Sequence, residues 1–215
     1  LQIDLLFIFI LMKIVCLIPA RYDSTRFPAK LMQNLEGKTV IRHGYENALS
    51  MGLFDKVYVV TDSPIISKEI KQHGGNVIMS KEKHESGSDR IAEAVKDITT
   101  DIVINIQGDE PFVNSSSISD LINVFANDNK KKIDLVSLMT HFNTKKEIKN
   151  PNNVKVIVDK NNFAIYFSRA VIPYAVENEK INPYYKHRGV YAFRKKALLN
   201  FHQQETTPLE ALEKE

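Results

Sequence analysis

The chain has 215 residues, with 29 Lys and Arg against 26 Asp and Glu and a formal charge of +3. That near balance argues against a general nucleic-acid surface, and the length suits one large domain or a domain with a smaller insertion. The single cysteine, Cys16, excludes disulfides and cysteine metal sites and makes a reducing cytoplasm the expected compartment.

The apolar run Leu5–Met12 is broken by Lys13 before a second run, Ile14–Ala20, begins. A signal peptide needs positive charge ahead of its apolar run, where Asp4 stands here, and a small-residue cleavage site where Arg21 and Arg26 follow. The segment is also short for a membrane span and carries Lys13 in its middle. Residues 1–11 are therefore expected to be an upstream or non-native leader outside the fold, with Met12-Lys13 as the natural start. A membrane anchor is the competing reading.

Ile14–Ile18 reads as a buried strand. It runs into Leu17–Lys30, which supplies Arg21, Arg26, Lys30, Ser24 and Thr25 on a loop stiffened by Pro19 and Pro28. Guanidinium forks bind phosphate oxygens bidentately and lysine adds a point charge, so this is phosphate-handling chemistry. A solvated surface loop is the alternative; the place of the loop, directly after a strand, favours a ligand, because open α/β sheets bind beyond the carboxyl ends of their strands.

Downstream, Val40, Ile41, Tyr45, Ala48 and Leu49 recur at helical spacing, with Thr39 as N-cap and Gly52 as a stop. Val57–Val60 is a short strand, and Pro64 opens a helix that runs to Gly74-Gly75. Val77–Met79 is the next strand, Ser88 or Asp89 caps a helix through Ile91, Ala94, Val95 and Ile98, and Ile102–Ile106 is another strand. A helix over Ser117–Ala126 and a strand over Leu135–Thr140 continue the alternation, which predicts βαβ units and a mostly parallel sheet. Val154–Val158 and Ala164–Phe167, joined by the turn-like Asp159–Asn162, predict an antiparallel addition in the second half, with Val190–Phe193 as a further strand. Lys130–Lys132 and Lys145-Lys146 lie in polar connections without aromatics to stack bases, so solvated charge is the reading.

No Walker A sequence or dinucleotide fingerprint is present, so side chains must hold any phosphates. Asp109, after Gly108 at the end of a buried strand, is a natural ligand for Mg2+, which favours one or two carboxylates plus phosphate oxygens. An acidic turn is the bland alternative. Ser86-Gly87-Ser88, opening a helix, offers N–H groups and hydroxyls to a nucleotide, or is simply a helix cap. Arg169 and His187, at strand ends in the second half, suit an anionic, hydroxylated substrate, or face solvent.

Taken in order, Ile18–Lys30, His84–Arg90, Asn105–Pro111, Asn150–Val156, Tyr166–Pro173, His187–Tyr191 and Thr207–Glu210 resemble the motifs of the 3-deoxy-manno-octulosonate (Kdo) cytidylyltransferases, the CMP-Kdo synthetases. The resemblance runs from Lys13 to Glu215. Its opening motif is shared with sialic acid cytidylyltransferases, whereas Phe167–Ala170 and His187–Tyr191 are more specific to the Kdo enzymes.

The resemblance implies an α/β fold with a mostly parallel, Rossmann-like nucleotide-diphospho-sugar transferase sheet and an antiparallel insertion. It implies a nucleotide-binding part over about 12–140 and an acceptor and dimerisation part over about 150–215. The implied reaction couples CTP to Kdo with Mg2+, giving CMP-Kdo and pyrophosphate for lipopolysaccharide assembly. Arg21, Ser24, Arg26 and Lys30 would hold the phosphates, and Ser86, Gly87, Asp89, Arg90 and Gln107 the cytidine. Asp109 would bind the metal, so that Arg21, Lys30 and Asp109 form the catalytic group. Arg169, His187, Tyr191 and Glu210 would contact Kdo, Arg169 through its carboxylate. No general base stands out. The family continues past Glu215 with a second metal carboxylate, so the chain reads as C-terminally truncated from a homodimer, with no nucleic acid or membrane partner. A sialic-acid-type acceptor and an inactive nucleotide-binding fragment are the alternatives.

Overall fold

In the computed structural model, which describes residues 12–23, 29–84, 86–174 and 184–213, the run Ile14–Ala20 becomes strand β1, buried along its whole length. The leader 1–11 and Ser24, Thr25, Arg26 and Pro28 of the opening loop lie outside these residues. The chain divides into two compact units, Leu1–Val136 with Val190–Gln203, and Ser137–Gly189 with Gln204–Glu215.

The first unit is built on parallel strands. β1 lies between β4 (Lys56–Thr61) and β6 (Ile102–Ile106), with Leu17 opposite both Tyr58 and Asn105, and β5 (Val77–Met79) extends the sheet beyond β4. On the other side of β6, residues Val190–Arg194 of β10 (Tyr185–Arg194) pair antiparallel. Helices account for the continuous apolar character of β1 and β6, which are buried at every position, since strands covered on both faces bury every residue. Val15 and Leu17 pack with Val60 and Val103 against Ile91, Ala92 and Val95 of helix α3 (Gly87–Val95) and Leu198 of α6 (Lys195–His202). Cys16 and Ile18, alternating with them, point to the opposite face.

Local chemistry sets the helix ends. α1 (Val40–Ser50) starts where the Thr39 hydroxyl accepts the Arg42 N–H at 3.3 Å and buries Ile41, Gly44, Tyr45 and Ala48 at helical spacing. α2 (Pro64–Gln72) is capped by Ser63, and Pro64 stands in its first turn, where the sequence predicts it. The cap of α3 is Ser86, two residues ahead of the expected Ser88, because its hydroxyl accepts the Asp89 N–H at 3.1 Å. α4 (Ser115–Asn127) completes the set, and two short strands, β2 (Asn34–Leu35) and β3 (Lys38–Thr39), form a separate hairpin.

In the second unit, β8 (Lys155–Val158) and β9 (Ala164–Ser168) form the antiparallel hairpin the sequence predicts. Its turn is closed by Asp159, whose Oδ1 accepts the N–H groups of Asn161 and Phe163, both at 2.8 Å. Tyr185 and Lys186 of β10 pair with Val156 and Lys155, and β7 (Leu135–His141) pairs with β10. Lys145 and Lys146, expected in a connection, start a helix, α5 (Lys145–Lys149), capped by Thr144; its Ile148 packs with Phe142 and Tyr184. A last helix, α7, covers Pro208–Glu213. Among the described residues no helix is long and apolar enough to cross a membrane.

Candidate functional site

Three sequence-distant motifs of the first unit meet around one cavity of about 160 Å³. The end of β1 and the residues after it provide Pro19, Ala20 and Arg21, the approach to α3 provides His84, Ser86, Gly87 and Arg90, and the turn after β6 provides Gln107. The contact is tight. A Cβ on Gly87 would lie 3.1 Å from Pro19 Cγ and 3.3 Å from Gln107 Oε1, and one on Gly108 would lie 2.9 Å from the Pro19 carbonyl oxygen. A cavity enclosing a whole drug-sized ligand is about 300–1,000 Å³, so this one has room for only part of a molecule of that size. A second, shallower depression of about 460 Å³ beside α4 includes Asp128, whose Oδ2 is taken by Arg194 Nη2 at 2.9 Å and by the Ile133 N–H at 2.8 Å. None of the predicted site residues reaches it.

The polar groups around the smaller cavity are ordered by one another. Asp89 accepts the Ser86 hydroxyl at 2.7 Å on Oδ2, while its Oδ1 lies 2.9 Å from His202 Nδ1 on α6. Partial burial opposes the charge on Asp89, but the hydrogen bonds from Ser86 and His202 outweigh it and hold the carboxyl below its ordinary range. His84 is bonded through Nε2 to Glu93 Oε2. Arg90 is buried: its guanidinium donates to Asp62 Oδ2 at 3.0 Å and to Ser80 Oγ at 3.1 Å, so it braces the cavity wall. Gln107 Nε2 donates to Asn105 Oδ1 at 3.4 Å, and the fully buried Asn105 is left with Nδ2 unpartnered.

Beyond the cavity the structure brings the two ends of the expected phosphate site together. Lys30, at the head of a 3-10 turn, places Nζ 2.7 Å from Asp109 Oδ2, and both side chains are about half exposed, at 45 % and 46 %. Arg21 is exposed after β1, whereas Ser24 and Arg26 fall outside the described residues. Among the described residues no group of three or more His, Cys, Asp or Glu side chains is arranged to hold a metal ion. One exposed carboxylate facing a cationic loop is nevertheless the donor set that Mg2+ uses when phosphate oxygens supply its other ligands.

In the second unit, Arg169 follows β9 and donates through Nη1 to the Pro151 carbonyl at 3.2 Å. His187 lies inside β10, where the sequence places it at a strand start; its Nε2 is 3.0 Å from Ser137 Oγ, and its ring meets Phe167 edge-on at 4.9 Å. Burial lowers its pKa from 6.5 to about 4, so the imidazole is neutral at pH 7. Glu210 and Thr207 form a capping box at the start of α7, with Glu210 Oε2 accepting the Thr207 N–H at 3.4 Å and Thr207 Oγ1 accepting the Glu210 N–H at 3.3 Å. Tyr191 belongs to the first unit, opposite Asn105 and beside Phe193. Sequence reasoning gave no role to His202, Ser137 or Lys155: the first two meet partners 113 and 50 residues away, and Lys155, although inside the Asn150–Val156 motif, also reaches the Arg169 carbonyl across the hairpin.

The chain is similar to known proteins along most of its length. The family described as cytidylyltransferase matches residues 15–215. A 3-deoxy-manno-octulosonate cytidylyltransferase of Flavobacterium johnsoniae is 58% identical over 203 residues, covering 94% of this chain and 83% of that protein. One from Christiangramia forsetii is 54% identical over 202 residues, covering 94% and 82%. A solved structure of CMP:2-keto-3-deoxy-manno-octonic acid synthetase complexed with CTP superposes with a TM-score of 0.88 at 37% identity, covering 94% of this chain and 82% of that one. The mixed parallel and antiparallel α/β sheet is thus that of the Rossmann-like nucleotide-diphospho-sugar transferases, and the chain belongs to the 3-deoxy-manno-octulosonate cytidylyltransferase family.

Proposed function

We propose that the protein transfers CMP from CTP to Kdo, releasing pyrophosphate, and that the Lys30–Asp109 contact marks the place where the triphosphate is handled. That 2.7 Å pairing is the observation that carries the site assignment, because it joins the cationic loop to the carboxylate after β6. Base and ribose occupy the cavity lined by Ser86, Gly87 and Gln107, with Asp89 and Arg90 supporting its wall. Arg21, Arg26 and Lys30, with Ser24, take the phosphates. Asp109 would hold Mg2+, and the bound ion would neutralise charge on the phosphate oxygens. Lys30 exchanges its carboxylate partner for phosphate when CTP enters.

The anomeric hydroxyl of Kdo attacks the α-phosphorus, a new O–P bond forms, the bond to the bridging oxygen of the β-phosphate breaks, and the hydroxyl proton is released. The protein's share is positioning and charge stabilisation. Arg169 takes the acceptor's carboxylate, since a guanidinium pairs with it bidentately. His187, kept neutral by burial, suits a sugar hydroxyl, and Tyr191 and Glu210 complete the acceptor contacts. A lone cysteine, buried in β1, suits a reducing cytoplasm as the place of work.

The test is pyrophosphate release with CTP, Kdo and Mg2+. Asp109→Ala should lower turnover by about 100-fold or more with an unchanged circular dichroism spectrum. Retained turnover removes Asp109 from the site, and faster transfer to sialic acid than to Kdo overturns the acceptor.

A further inference from the structure

A buried cation in the second unit is not used by any step above. Lys155, the first residue of β8, is fully buried, a rare position for lysine. Its Nζ donates to the main-chain carbonyls of Arg169 at 2.6 Å, Asn153 at 2.8 Å and Asn150 at 3.3 Å. Asn150 and Asn153 belong to the turn that links α5 to β8, and Arg169 is the residue that follows β9. The hairpin register sets Lys155 opposite Ser168, one residue before Arg169. The Arg169 side chain returns to the same turn, with Nη1 on the Pro151 carbonyl at 3.2 Å. Both ends of Arg169 are therefore fixed to a turn that Lys155 gathers.

We infer that Lys155 is a positioning residue for the acceptor sugar: its ammonium fixes the Arg169 main chain and the 150–153 turn, so that the guanidinium meets the substrate carboxylate in one orientation. The inference rests on the reading of Arg169 as the carboxylate ligand. An ammonium is a donor only, and its described acceptors include these three main-chain carbonyls. An apolar residue at 155 would remove the ammonium from the Arg169 and Asn153 carbonyls, while the Asn150 carbonyl keeps the Asn153 N–H at 3.0 Å, and the tie between the turn and Arg169 would loosen.

The experiment measures KM for Kdo and for CTP, with kcat, in the full chain and in Lys155→Met, Arg169→Ala and the double variant. Lys155→Met should raise KM for Kdo about tenfold, less than the ~100-fold that a 1 Å misplacement can produce, and leave KM for CTP unchanged. Arg169→Ala should raise KM for Kdo at least as much, and the double variant should match Arg169→Ala alone, since the lysine acts through the arginine. If Arg169→Ala leaves KM for Kdo unchanged, the reading of Arg169 fails. If Arg169→Ala raises it but Lys155→Met does not, or if the two effects multiply, Arg169 keeps its role and Lys155 loses its own. Should Lys155→Met not fold by circular dichroism, Lys155→Arg carries the test: it keeps the charge, but its planar fork cannot aim at three carbonyls from one atom, and it should fold with a raised KM for Kdo. A normal KM for Kdo in that variant, or failure of both variants to fold, assigns Lys155 to stability alone and overturns the inference.

Discussion

Acidification should destabilise the protein through His187 in a window that the structure defines. The ring is packed against Phe167 and bonded to Ser137, and burial lowers its pKa from 6.5 to about 4. Between those two values the unfolded chain binds a proton that the folded chain refuses, so stability is fully present above pH 6.5 and falls as pH drops toward 4. The whole gap corresponds to at most about 3 kcal/mol, of which about 2 kcal/mol is lost by pH 5. Urea unfolding followed by far-UV circular dichroism at pH 7 and pH 5 gives the wild-type change. Glu46, Glu93, Asp89 and Asp128, whose pKa values are all lowered, contribute their own loss on the acid side, so the informative quantity is the difference from His187→Gln. Glutamine keeps a nitrogen donor for Ser137 and does not titrate. Wild type should lose about 2 kcal/mol more than the variant between the two pH values; parallel curves would refute a buried, neutral His187.

Two further substitutions probe the first unit. In Gly108→Ala the new methyl meets the Pro19 carbonyl at 2.9 Å, with Leu31 and Ile41 at 3.2 and 3.3 Å; thermal unfolding should show a loss of about 1–3 kcal/mol, and kcat should fall because Asp109 is the next residue. A fully stable, fully active variant would mean that β1 can withdraw from the turn. His202→Ala removes one partner of Asp89, worth about 1 kcal/mol, so KM for CTP should rise about fivefold with kcat unchanged. No change in KM would detach α6 from nucleotide binding.

Ile102–Ile106, buried at every position, was readable because burial leaves it as an unbroken apolar run, and it is the predicted segment unchanged; the partly exposed edge strand Val77–Met79 is also unchanged, marked off by the glycines before it and the polar residues after it. The apolar core of β10 was read as Val190–Phe193 with His187 at a strand start; Tyr185 and Lys186, ahead of the polar run Lys186–Arg188, lack that signal and were not included. α5 has a single buried residue, Ile148, and α6 only Leu198, too few to show a helical period. The cavity was legible as motifs because its walls are short contiguous segments. Lys155 and His202 were not, because the meaning of each lies in a partner 14 or 113 residues away, a relation that exists only after folding.

The fit of Gly87 against Pro19 and Gln107 limits how far the small cavity can be reshaped by substitution. A Cβ at 87 crowds both neighbours, at 3.1 Å and 3.3 Å, a bulkier residue at 107 closes on the glycine, and moving residue 19 drags the end of β1 that leads into Arg21. Single-site libraries at these positions should therefore return mostly losses, while libraries that vary all three together can explore new shapes of the floor.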